Sequence, residues 1–130
     1  MTALEQHVVA PASTEWVAIC ELCRLTPDRG VAGLVDGHQV AVFLLSSGDL
    51  HAVDNVDPCS GAAVLSRGLV GEVDGVDTVA SPLYKQRFEL ATGRCLDAEG
   101  QHLAVHAVDV VGGIVHVRLR RRRPLLTVAG

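Results

Sequence analysis

Asp36-Gly37, Asp74-Gly75 and Gly112-Gly113 each separate two short runs rich in β-branched residues. A two-residue turn between antiparallel strands needs positive φ at its central positions, and these dipeptides accept that conformation with little strain. The flanking runs are 31–35 and 39–45, 71–73 and 78–80, and 105–111 and 114–119. Further strands are expected around Trp16, Val17 and Ile19, at 50–55 and at 87–90. Residues 21–30 read as a turn-rich connection or one short helical turn, and 46–49 and Thr92-Gly93 as turns. No segment sustains a 3.6-residue period and no internal repeat is present. The chain carries 21 valines and only 3% aromatic residues, and a branched Cβ suits a pleated strand. The expected fold class is all-β, a small antiparallel sandwich or barrel.

At 130 residues the chain reads as one domain over 14–119, between a flexible lead-in at 1–13 and a basic tail at 120–130. A domain of this size buries roughly two-thirds of its unfolded surface and folds without disulfide or metal. The net charge of −4 conceals an asymmetry: residues 1–117 hold all 15 acids and 6 of the 11 bases, whereas 118–130 hold five arginines and no acid. An acidic body with few aromatic rings argues against nucleic acid as a partner. No apolar run is long enough for a membrane span, and the first residues lack the pattern of a secretory signal. A cytoplasmic location is therefore expected, with Cys20, Cys23, Cys59 and Cys95 as reduced thiols.

Two segments carry chemistry that strand patterning does not explain. One runs Asn55-Val-Asp-Pro-Cys-Ser-Gly-Ala-Ala-Val-Leu65, the other Ser81-Pro-Leu-Tyr-Lys-Gln-Arg-Phe-Glu-Leu-Ala-Thr-Gly93. Together they resemble the two cluster-binding boxes of the Rieske family, in which each box supplies one Cys and one His to a [2Fe-2S] centre. The framework residues Pro58, Gly61, Ala62 and Leu65 match the first box, and Pro82, Phe88, Leu90, Thr92 and Gly93 match the second. The positions corresponding to Cys, His, Cys and His hold Asp57, Cys59, Ser81 and Tyr84. Asp, Ser and Tyr are poor partners for a cluster built on thiolate donation, so no [2Fe-2S] centre is expected. With Leu65-Ser-Arg-Gly68 and Thr92-Gly-Arg-Cys-Leu96, the pattern resembles the small subunits of NAD(P)H nitrite reductases. That resemblance implies a Rieske-like β fold and a partner, the large catalytic subunit, which bears FAD, a [4Fe-4S] cluster and siroheme and reduces nitrite to ammonium. This chain would hold no cofactor and no active site, and would dock on that subunit. The alternative is a cluster-free Rieske-like binding module of another oxidoreductase complex.

Other features are weighed against plainer readings. Cys20-Glu-Leu-Cys23 has the spacing of half a zinc site or of a redox pair, but lacks a second spaced pair and a βαβ context; ordinary buried thiols are expected. Asp57, Ser81 and Tyr84 do not form a nucleophilic set, since neither box holds a His to activate Ser81. Asp57 is read as turn chemistry, Ser81 as the end of a strand, and Tyr84 as filling the space of the missing cluster. Arg67, Lys85 and Arg87 are candidates for partner docking. His38, His51, His102, His106 and His116 are read as surface residues without ligand spacing. The arginine-rich tail suggests contact with an acidic partner or a solvated end.

Overall fold

The computed structural model describes residues 15–120. The proposed lead-in, and the tail beyond Arg120, lie outside the described residues. Among the described residues, nine strands form two antiparallel sheets. The larger sheet takes β1 (Val17–Glu21), β2 (Arg29–Val35), β3 (His38–Leu44), β4 (Leu50–Asp54), β8 (Val105–Val111) and β9 (Ile114–Arg118), in the order β1-β9-β8-β4-β3-β2. The smaller takes β5 (Leu69–Val73), β6 (Val76–Ala80) and β7 (Arg87–Glu89), in that order. Two 3-10 turns, Leu22–Arg24 and Leu65–Arg67, complete the set. No described helix is long and apolar enough to cross a membrane.

The three hairpins turn at the dipeptides that announce them. Asp36 and Gly37 have φ of 52° and 79°, Asp74 and Gly75 of 51° and 83°, and Gly112 and Gly113 of 60° and 78°. Val35 pairs with His38, Val73 with Val76 and Val111 with Ile114, so strands run directly into the turns. For this reason β6 starts at Val76, two residues earlier than expected, while β5 gains Leu69 and Val70 at its far end, where they pair with Ala80 and Val79.

Strand β3 is the hinge of the core. Its residues 40–43 are all buried because they face two different clusters. Val40 and Val42 join Val35, Ala52, Val115 and Val117 inside the larger sheet, while Ala41 and Phe43 join Val53, Leu65, Val79, Phe88 and Leu90 between the sheets. A continuous apolar run is what a strand covered on both faces requires. The larger sheet curls until its outer strands approach: a Cβ on Gly33 of β2 would stand 3.0 Å from Cγ2 of Ile19 on β1. The result is a near-barrel with the three-stranded sheet packed beside it, and that sheet carries the second box at its β6–β7 end.

Candidate functional site

The two boxes form adjacent loops, the first closed on Asp57 and the second on Ser81. In the first, Asp57 N–H donates to Ala62 O at 2.8 Å, Gly61 N–H donates to Asp57 O at 2.7 Å, and Asp57 Oδ1 accepts Cys59 N–H at 2.8 Å. In the second, Ser81 N–H donates to Gln86 O at 2.9 Å, Lys85 N–H donates to Ser81 O at 3.0 Å, and Ser81 Oγ accepts Leu83 N–H at 3.2 Å. One bond joins the loops: Ser81 Oγ–H donates to Asp57 Oδ2 at 2.6 Å, and both residues are fully buried. Asp57 and Ser81 occupy the two positions that match thiolates. A side-chain hydrogen bond thus ties the two loops to each other.

The positions matching imidazoles behave differently. Cys59 lies partly buried against the inter-sheet core, and burial, then the neighbouring Asp57 and Cys95, push its thiol pKa up. That favours the protonated form, the weaker nucleophile and ligand. Tyr84 is 60% exposed, so it does not fill the interior as the sequence suggests. The main-chain bonds of the Ser81 turn, with Lys85 at a φ of 66°, hold the loop tip outward. Asp57 and Ser81, not Tyr84, are the buried side chains at the four matched positions.

The basic candidates are separated. Arg67 is exposed on the 3-10 turn before β5, and Lys85 Nζ donates to Pro82 O at 3.3 Å at the tip of the second box. Arg87 is engaged within the chain: its Nε and Nη2 donate to Asp97 at 3.0 and 2.7 Å, and its N–H donates there at 2.8 Å. These bonds hold the Asp97 carboxyl down to a pKa of about 2. Of the paired thiols, Cys20 is only partly buried and Cys23 is exposed. The 3-10 turn that begins at Leu22 carries Cys23 off the sheet, so the expectation of buried thiols fails for it.

The histidines hold what sequence reading missed. His106 is 3% exposed, not a surface residue, and its Nε2 lies 2.7 Å from Asp54 Oδ1. His38 Nε2 lies 2.7 Å from the same oxygen. Burial pushes the Asp54 pKa up, but the hydrogen bonds from His106 and His38 outweigh it, and the net shift is down. Three possible ligand atoms therefore converge within 4.8 Å. However, His106 Nδ1 accepts the Arg120 N–H at 3.1 Å, which places the proton of the neutral ring on Nε2, facing Asp54. Metal-bound histidines usually donate their second N–H, so the arrangement suits a hydrogen-bonded tie between β3, β4 and β8. The available signal was phase: His106 shares its face of β8 with Val108 and Val110, which pack on the core.

The Rieske-like [2Fe-2S] domain family matches residues 15–118. The NADH nitrite reductase small subunit of Salmonella typhimurium is 41% identical over 106 residues, covering 81% of this chain and 98% of that protein. A Mycobacterium tuberculosis protein assigned as an NADH-dependent nitrite reductase small subunit superposes with a TM-score of 0.78 at 46% identity, over 80% of this chain and 94% of that one. The nitrite reductase [NAD(P)H] large subunit of Klebsiella oxytoca contains a stretch 40% identical over 105 residues, which is 81% of this chain and 11% of that longer polypeptide.

Proposed function

The chain belongs to the Rieske-like [2Fe-2S] domain family, among the nitrite reductase small subunits, and from that membership we propose that it serves as the non-catalytic small subunit of an NAD(P)H nitrite reductase. In this reading it docks on the large subunit, which carries FAD, a [4Fe-4S] cluster and siroheme and reduces nitrite to ammonium. One observation carries the pairing: a large subunit of this enzyme contains the same domain within its own polypeptide. A domain fused to an enzyme in one organism and separate in another is one whose work is done beside that enzyme.

The family's [2Fe-2S] cluster does not fit the residues present. The positions that match its thiolates are a carboxylate and a hydroxyl committed to each other at 2.6 Å, and those that match its imidazoles are a thiol of raised pKa and an exposed phenol. We therefore assign no cofactor to this chain, and the degenerate positions Asp57, Cys59, Ser81 and Tyr84 are structural. Residues 14–119 are proposed as the folded unit, in the cytoplasm. Of the basic candidates, Arg67 is proposed to meet the partner; Lys85 closes on Pro82 O of its own loop and Arg87 already serves Asp97.

Affinity purification of the chain under mild, anaerobic conditions tests both parts. Recovery of a siroheme-bearing polypeptide is expected, and repeated recovery of the chain alone counts against the subunit reading. Iron and a reduced-state Rieske EPR signal in the isolated chain would refute the cluster-free reading. Recovery of a different oxidoreductase favours the alternative of a binding module in another complex.

A further inference from the structure

Two grooves adjoin where the 3-10 turn Leu65–Arg67 and strand β5 lie against the start of β2. The first, of about 410 Å3, is lined by Arg29 and Arg67 together with Leu69. The second, of about 320 Å3, carries Glu72 and Asp77. Asp28 lines both, but its carboxylate is committed, accepting the N–H and the hydroxyl of Ser46 at 3.0 and 2.5 Å.

The mount beneath Arg67 is held by close backbone approach. A Cβ on Gly30 would stand 2.5 Å from Ser66 O, and one on Gly68 would stand 2.6 Å from Ala80 O. Ser66 N–H is held by Asn55 Oδ1 at 2.7 Å. The Leu65-Ser-Arg-Gly68 run is therefore a backbone clamp that presents an arginine. Interface affinity gains from such preorganisation, since less freedom is lost on binding.

The charges on this face lack counterparts. Among the described residues neither Arg29 nor Arg67 takes part in an ion pair. Glu72 and Asp77 stand directly opposite each other in the β5–β6 register, a placement that destabilises like charges, and neither is in an ion pair there. His51 is near Asp77, but burial lowers its pKa. Leu69 is 77% exposed, more than any other large apolar side chain described.

We propose that this face is where the chain docks on the large subunit of nitrite reductase. The partner supplies a carboxylate and an apolar group to Arg29, Arg67 and Leu69, and a basic side chain to Glu72 and Asp77. This rests on the small-subunit reading above. Alternating charge fixes the orientation of a protein partner, and arginine is enriched among residues that dominate interface energy. The facing carboxylates exclude a polyanion such as nucleic acid.

The test is titration calorimetry of the full chain into purified large subunit at two ionic strengths. Arg67→Glu and Glu72→Lys are each expected to weaken binding tenfold or more and to flatten its salt dependence. Glu72→Lys also relieves the like-charge pair, so its melting temperature rises while its affinity falls, a combination that misfolding does not produce. The Leu83→Ser, Tyr84→Ser double variant at the tip of the second box stays within threefold of the unaltered chain. Groove variants that bind normally overturn the proposal, as does loss of binding in the tip variant alone. Failure of the unaltered chain to bind sinks the small-subunit reading and this surface with it.

Discussion

Replacing Ser81 by Ala should be disproportionately costly for the loss of one oxygen. The hydroxyl donates at 2.6 Å to Asp57 Oδ2, and both residues are fully buried. A buried acceptor left without its donor costs about 1–3 kcal/mol, with bonds to charged groups at the upper end. The same hydroxyl oxygen accepts Leu83 N–H, so the turn loses a second bond. We expect a destabilisation of about 2–3 kcal/mol, which in a domain of this size lowers the melting temperature by roughly 10 °C or more. Urea and thermal unfolding followed by circular dichroism at pH 7 measure it. Ser60→Ala is the control, since that hydroxyl serves only a local N–H at 3.1 Å. In a double-mutant cycle, Asp57→Asn and Ser81→Ala should couple by about 1–3 kcal/mol. If Ser81→Ala falls within about 0.5 kcal/mol of the unaltered chain, as an ordinary surface change does, the argument that this bond ties the boxes is refuted.

Three further outcomes follow from other sites. Gly93→Ala should prevent stable folding or cost more than about 3 kcal/mol, because its φ is 82° and a Cβ would stand 1.8 Å from Leu103 O; Gly75→Ala, with nothing within 4 Å, should cost only about 1–2 kcal/mol. Asp54 has a folded pKa below its ordinary 3.8, so its stabilisation is present above that value and is lost as pH falls through the folded pKa; Asp54→Asn should flatten the acid limb of a stability-against-pH curve. Carboxyl-carbon NMR titration should place the Asp97 pKa at about 2, and Arg87→Ala should return it toward the usual carboxylate range. A pKa unchanged by that substitution would assign the shift elsewhere.

The hairpins are legible in the sequence because positive φ at Asp36, Asp74 and Gly112 is a local demand, met by the residues at those positions. The two boxes are legible for a similar reason: Pro58, Gly61, Pro82 and Gly93 are turn residues at fixed spacing. What joins distant segments is not written locally. Asp57 and Ser81 lie 24 residues apart and Asp54 and His106 52 apart; only the pairing of β4 with β8, through Ala52–His106 and Val53–Val105, brings the latter two together. Tyr84 shows the opposite failure. A large ring at a former ligand position suggests a filled cavity, but its orientation is decided by the main-chain bonds of the Ser81 turn.

The approach of Gly33 to Ile19 also governs how any partner can associate. Many proteins recruit a neighbour by extending a sheet with a borrowed strand, which needs a rim with about 4.8 Å of clear space beside it. On the larger sheet the two rims face each other, and the Ile19 side chain occupies the space over Gly33. A strand added along either rim would have to part β1 from β2. Main-chain addition is left to the short rims β5 and β7, so recognition along the larger sheet falls to side chains, where specificity is written in size and charge and not in amide ladders.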